Sequence, residues 1–200
     1  MISAQPGLIP QEKVNLNRAR IWACTVFVDY YTGYVFLALM RDLTVESTLA
    51  AKKDFEHRCA VQGVKVKHYH AVNGRFSEPA LINECKRCKQ DLTFCVVGSH
   101  HQNGILEREI KDVILISRTM LLHAIRYWTE FITIMLCPFA TKCAKDRMNY
   151  LHVDLNLETP DMRFSNTKAV NFQLKHYHTF GCPVYILDSI FQTNPKVVPK

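Results

Sequence analysis

Short β-rich runs alternate along this chain with longer stretches in which apolar residues return every three or four positions. Residues 21–28 are rich in β-formers, a turn signal follows at Tyr31-Thr32-Gly33, and residues 34–39 are apolar again. Glycine between two such runs predicts a hairpin. Over residues 43–63 the period lengthens. Ala50, Ala51, Phe55, Cys59 and Ala60 recur at helical spacing, and Lys52, Lys53, Asp54 and Glu56 are expected to face water. Thr44 is the expected N-cap, with support from Ser47, and Gly63 the expected stop, because a residue without Cβ takes the left-handed cap cheaply.

Residues 64–70 alternate as a strand. Residues 79–89 read as a helix with Ala80, Leu81 and Cys85 on its apolar side, and residues 92–97 as a strand closed by Gly98. A long helix is predicted over residues 103–127, with Leu106, Ile110, Val113, Ile114 and Leu121 as its stripe, and a further helix over residues 128–145. Residues 1–20 hold two prolines and a glycine and read as an irregular lead-in. From Arg147 onward the chain is polar and proline-punctuated until residues 180–187, a short strand-like piece. The expected organisation is therefore a lead-in (1–20), a core domain (21–146) and a C-terminal extension (147–200). This order of strands and helices predicts an α/β fold, a mixed sheet covered by helices.

Composition narrows the function classes. Two hundred residues suit one domain with a real core. The net charge of +7 makes an anionic partner plausible without separating DNA from RNA or an acidic protein surface. Eight cysteines occur, yet no stretch reads as a secretory signal, so free thiols in a reducing compartment are expected. The most apolar run, residues 132–140, is too short to cross a bilayer and sits beside Lys142 and Lys145, which predicts a packed helix and no membrane partner. A phosphate-cradling glycine loop, a dinucleotide fingerprint and a Gly-x-Ser-x-Gly elbow are all missing, which argues against nucleotide-dependent and acyl-transfer chemistry.

What remains is a set of carboxylate positions. Asp29 ends the apolar stretch Thr25-Val26-Phe27-Val28, and Glu107 lies in an Asn-Gly-x-x-Glu segment opening the long helix. Phosphodiester cleavage by a metal pair needs carboxylates that hold two cations about 4 Å apart, and Mg²⁺ suits such hard oxygen ligands. Asp29 and Glu107 fit such roles, and the missing ligand is expected at the end of the strand that finishes at Ala71. Blander readings stand beside these. Asp29 also suits a turn, Glu107 an i,i+4 pair with Lys111, and Lys111 either that pair or a DNA backbone contact. Likewise His101 or Gln102 suits a place near DNA or a cap before the helix. His68/His70, His100/His101 and Cys85/Cys88 each lack the further ligands a structural zinc site needs. Tyr30 and Trp128 suit core packing or contact with DNA.

Three segments carry a family resemblance: Phe27-Val28-Asp29-Tyr30-Tyr31, His68-Tyr69-His70-Ala71-Val72-Asn73-Gly74-Arg75-Phe76, and His100-His101-Gln102-Asn103-Gly104-Ile105-Leu106-Glu107-Arg108. With Tyr127-Trp128 and Phe180-Gly181-Cys182-Pro183-Val184-Tyr185 they resemble, in order, blocks of the integrase catalytic core of copia-type retrotransposons. That resemblance implies a ribonuclease H-like fold with helices on both faces of the sheet, and an Asp, Asp, Glu triad binding Mg²⁺ or Mn²⁺. It also implies DNA integration, double-stranded DNA as partner, homo-oligomers and a nuclear location. On this sequence the triad maps to Asp29, Val72 and Glu107, with Val72 lying 35 residues before Glu107, the separation the family uses. Asn103 joins His101, Gln102 and Lys111 as a candidate DNA contact.

Valine offers neither lone pair nor charge. Asn73 is neutral and on an extended backbone points to the other face. The expected outcome is loss of catalysis, with weak one-metal activity and rescue by an acid such as Glu78 as the other readings. Neither the family's zinc-binding module ahead of the core nor its basic tail behind it is recognisable in these residues, and Met1 is expected to fall inside the lead-in to the first strand. Three functions compete: a silent integrase-like domain, a non-enzymatic nucleic-acid-binding or assembly protein that keeps the fold, and a product without a selected role.

Overall fold

A computed structural model describes residues 2–8, 23–96, 103–129, 132–167 and 177–183. Its centre is a five-stranded mixed sheet. Strands β1 (Ile2–Leu8), β2 (Ala23–Asp29) and β3 (Val35–Met40) are antiparallel neighbours, while β4 (His68–Ala71) and β5 (Asp91–Phe94) run parallel to β1 and to each other. The order across the sheet is β3-β2-β1-β4-β5. The β2–β3 hairpin turns at Gly33, whose φ of +72° is costly for any residue with a Cβ.

Successive residues of β2 point to opposite faces and build two cores. On one face Ala23 and Phe27 meet α1 (Val45–Val61) and α2 (Pro79–Arg87), with Phe27 stacked on Phe55 at 4.9 Å and edge-on to Phe76 at 6.1 Å. Burying each such ring contributes about 2–3 kcal/mol. On the other face Val26, Val28 and Val35 pack against Leu106 and Val113 of α3 (Gly104–Tyr127) and Ala144 and Met148 of α4 (Cys137–Leu151). A short α5 (Pro160–Ser165) lays Phe164 on Tyr34 at 4.1 Å. The result is a sheet with helices on both faces, as the sequence predicts. The Thr44 cap is also as expected: its side chain accepts from the Ser47 N–H.

Several details differ from the expectations. Residues 2–8, read as irregular, form the central strand. Pro6 and Gly7 lower local β-propensity there, but β1 is paired on both sides, so tertiary pairing prevails. Residues 64–67 stay outside the strand that begins at His68. The buried stripe of α3 is Leu106, Val113, Ser117, Met120 and Ala124, leaving Ile114 58% exposed. No α-helix begins at residue 128: α4 starts at Cys137, where Pro138 fits the first turn because it has no N–H to leave unpaired, and runs on to Leu151. Ala50 and Ala60 are exposed, whereas Lys52 is buried and paired with Glu56. Residues 180–183 are not strand, and residues 184–187 lie outside the described residues.

Candidate functional site

Strands β4 and β5 end side by side. The Cys95 N–H donates to the Ala71 carbonyl (3.0 Å), and Asn73 Nδ2 donates to the Cys95 carbonyl (3.1 Å), joining the loop after β4 to the end of β5. Val72, half-buried, follows β4 directly. Glu107 sits exposed in the first turn of α3, close enough that its charge helps raise the Cys95 thiol pKa, burial being the larger cause. This edge therefore brings Val72 and Cys95 together, with Glu107 near enough to act on Cys95 through its charge.

Asp29 lies elsewhere. Its Oδ2 accepts from the Thr32 N–H (3.0 Å) and Thr32 Oγ1 (2.5 Å), closing the hairpin turn. Its position in β2 alternates with Ala23 and Phe27, on the α1 side, and its charge helps push the Cys59 thiol of α1 up to about 12, after burial. The register pairs Asp29 with Ile2 and Ile2 with Tyr69, three residues short of Val72. At about 3.3 Å per residue that is roughly 10 Å along the strands, and two strand spacings add roughly 10 Å across. Glu107 belongs to a helix on the opposite face. Strand parity therefore places Asp29 on the α1 side of the sheet, whereas α3, which carries Glu107, packs against Val26 and Val28 on the other side. On one side β4 pairs with β1, Ile-Ser-Ala-Gln-Pro-Gly-Leu, which contains no acid; on the other it pairs with β5, whose one acid, Asp91, lies opposite His68 at the far end of β4 from Val72.

A pair of Mg²⁺ or Mn²⁺ ions does not fit these residues. Two dications held close together need several carboxylates, and no group of three His, Cys, Asp or Glu able to hold a metal occurs among the described residues. Glu78, the other acid considered, stands at the N-cap position of α2 and pairs with Arg75 at 3.5 Å.

The other candidates divide. Lys111 is exposed one turn beyond Glu107, Asn103 is buried at the start of α3, and His101 and Gln102 lie outside the described residues. Tyr30 is exposed rather than packed in the core.

A feature not expected from the sequence is the array His68–Thr93–His70–Cys95. Thr93 Oγ1 lies 2.8 Å from His68 Nε2 and 2.9 Å from His70 Nδ1, and His70 Nε2 lies 3.2 Å from Cys95 Sγ. Burial, then the His68 charge, lowers the His70 pKa, while burial raises that of Cys95. Both shifts favour neutral partners, so this is a hydrogen-bonded Cys–His contact and not an activated thiolate. The alternation of His68 and His70 was visible in the sequence; their partners on β5 were not.

No protein-family model matches the chain, and no curated protein matches it significantly in sequence. Solved structures do match in fold. A chain of the simian T-cell lymphotropic virus intasome, solved with PP2A regulatory subunit B56 gamma, superposes with a TM-score of 0.60 at 15% identity. That match covers 94% of this chain and 58% of the viral one, so this chain spans little more than half its length. The BIV integrase catalytic core domain gives 0.57 at 17% identity, covering 82% of this chain and 93% of that one. The HTLV-2 integrase catalytic core domain, solved with magnesium in a dimeric form, gives 0.56 at 16%, covering 82% and 94%. The fold is the ribonuclease H-like fold of retroviral integrase catalytic cores. Among the described residues no helix is long and apolar enough to cross a membrane.

Proposed function

We propose that this chain is the integrase-like domain of a copia-type retrotransposon, that it neither cleaves nor joins DNA, and that its remaining role is to bind double-stranded DNA in the nucleus. The observation that carries this reading is Val72, an aliphatic residue directly after β4, with Asp29 on β2 two strands away across the sheet and no group of three metal-ligating side chains among the described residues. Support for binding comes from the +7 charge and from exposed Lys111 on α3. The integrase core of HTLV-2 was solved as a dimer and as a trimer, which motivates the same expectation of self-association here.

The test is a cleavage and strand-transfer assay with Mn²⁺ on the natural chain and on Val72→Asp. No turnover is expected from either, since the substitution restores one ligand and leaves the first carboxylate place unfilled. Turnover by the natural chain that disappears on Glu107→Gln would overturn the silent-enzyme reading. Duplex binding followed by anisotropy is expected to weaken steeply with salt and to ignore Mg²⁺. Binding that requires Mg²⁺ would count against it.

A further inference from the structure

We propose that the cleft between α3, α4 and residues 177–180 binds a small amphipathic carboxylate, with an aromatic or branched aliphatic body. This goes beyond the DNA-binding reading: neither Lys111 nor Glu107 lines the cleft, which begins at Leu115, about 6 Å along α3 from Lys111 and about 12 Å from Glu107 at 1.5 Å per residue.

The cleft has a volume of about 640 Å³, within the roughly 300–1,000 Å³ common for small-molecule sites. Leu115 and Met120 of α3 and Phe180 give it an apolar floor, while Arg147 of α4, His123 and His178 supply polar nitrogen groups around it. Among the described residues no Asp or Glu lines it. Arg147 is exposed, has no carboxylate partner among the described residues, and lies over the Tyr177 ring at 5.7 Å. The Tyr177 hydroxyl donates to the Cys143 carbonyl at 3.2 Å, which ties the ring to α4 and gives Arg147 a surface to rest on. Burial raises the Tyr177 pKa, so the phenol keeps its proton and brings no competing negative charge.

Gly181 holds the segment close to α3. Its φ is +80°, and a Cβ there would come within 2.8 Å of the Ala124 Cβ and 3.0 Å of Ile132. A guanidinium above an apolar floor suits a ligand with one planar anionic group, which arginine can bind through two parallel hydrogen bonds. A nucleic-acid backbone would leave the floor unused.

Calorimetric titration of the full chain with 2-naphthoate and with neutral 2-naphthamide tests this. The carboxylate is expected to bind at least about tenfold more tightly than the amide, a margin typical of losing a charge-assisted hydrogen bond. Arg147→Gln is expected to erase the margin. Thr119→Trp, on the exposed side of α3 and lining the cleft, is expected to block both ligands without lowering the melting temperature. It carries the test should Arg147→Gln fail to fold. Equal binding of carboxylate and amide, binding untouched by Thr119→Trp, or no binding of naphthoate while a Leu/Glu-containing peptide binds would each overturn the proposal, the last in favour of a protein partner.

Discussion

Asn149 of α4 exchanges two hydrogen bonds with the backbone of Val35 on β3: its Nδ2 donates to the carbonyl at 2.7 Å, and its Oδ1 accepts from the N–H at 2.9 Å. Since β3 is the edge of the sheet, the amide acts as one further rung of the ladder, and it does so while only 1% exposed. An edge strand otherwise presents such groups unpaired. Asn149→Ala should cost about 2–3 kcal/mol in urea denaturation, because both buried backbone groups lose their partner. Asn149→Asp should cost at least as much, since a carboxylate cannot donate to the Val35 carbonyl. A near-neutral Asn149→Ala would mean that water takes over the rung.

Asp29 makes the opposite kind of prediction, in which a suspected ligand behaves as a turn residue. Its carboxylate accepts from Thr32 twice, its own N–H donates to the Tyr34 carbonyl (2.9 Å), and its carbonyl accepts from the Gly33 N–H (2.9 Å). Asp29→Ala should destabilise by about 1–2 kcal/mol, and Asp29→Asn by less, since an amide oxygen still accepts. Neither should alter Mn²⁺ binding by calorimetry. If Asp29→Asn removed a measurable Mn²⁺ site while leaving the melting temperature alone, Asp29 would be a metal ligand and not only a turn residue.

What could be read in the chain was what local sequence controls. The hairpin at Gly33, the Thr44 cap and the start of the long helix after Asn103-Gly104 follow from turn and capping chemistry within a few residues. Position Val72, at the end of β4, followed from the alternation ending at Ala71. Face and register were not legible in the same way. Whether Asp29 and Glu107 meet depends on strand parity and on a central strand whose proline and glycine disguise it. The buried phase of α3 was not legible either, because Ser117 belongs to the stripe and apolar Ile114 does not.

Lys52 shows why a charge on a helix need not face water. Its ammonium is buried, 2.8 Å from Glu56 Oε1, and lies over the Tyr69 ring at 5.3 Å. The same oxygen accepts from Tyr69 OH (2.9 Å) and Gln90 Nε2 (2.5 Å), so one carboxylate joins α1, β4 and the residues before β5. The two halves of this pair are not equivalent. Lys52→Met leaves Glu56 two donors and some solvent, and should cost about 1–2 kcal/mol. Glu56→Ala strands a lysine with 1% side-chain exposure and should cost about 3–5 kcal/mol. Chemical denaturation of both variants checks the order, and a more damaging Lys52→Met would refute it.

Acid titration reports on Glu84. Arg87 Nε and Nη2 donate to its two carboxylate oxygens at 2.8 and 2.7 Å, and this hydrogen bonding holds its pKa down at about 2, from an ordinary 4.5. A folded pKa below the unfolded one means that the unfolded chain binds more protons between the two values. The contribution to stability is therefore fully present above about pH 4.5 and is lost as pH falls towards about 2. Asp161 has the opposite sign: burial raises its pKa, so its effect on stability worsens as pH rises through the folded value. Arg87→Ala should flatten the fall of melting temperature between pH 4.5 and 2, and should change little at pH 7 beyond the loss of the pair itself. Because Arg87 is 69% exposed the effect is modest and screened, so about 1 M salt should bring the natural chain and the variant together. An acid transition that is identical in the two chains at low salt would show that this pair does not contribute to acid sensitivity.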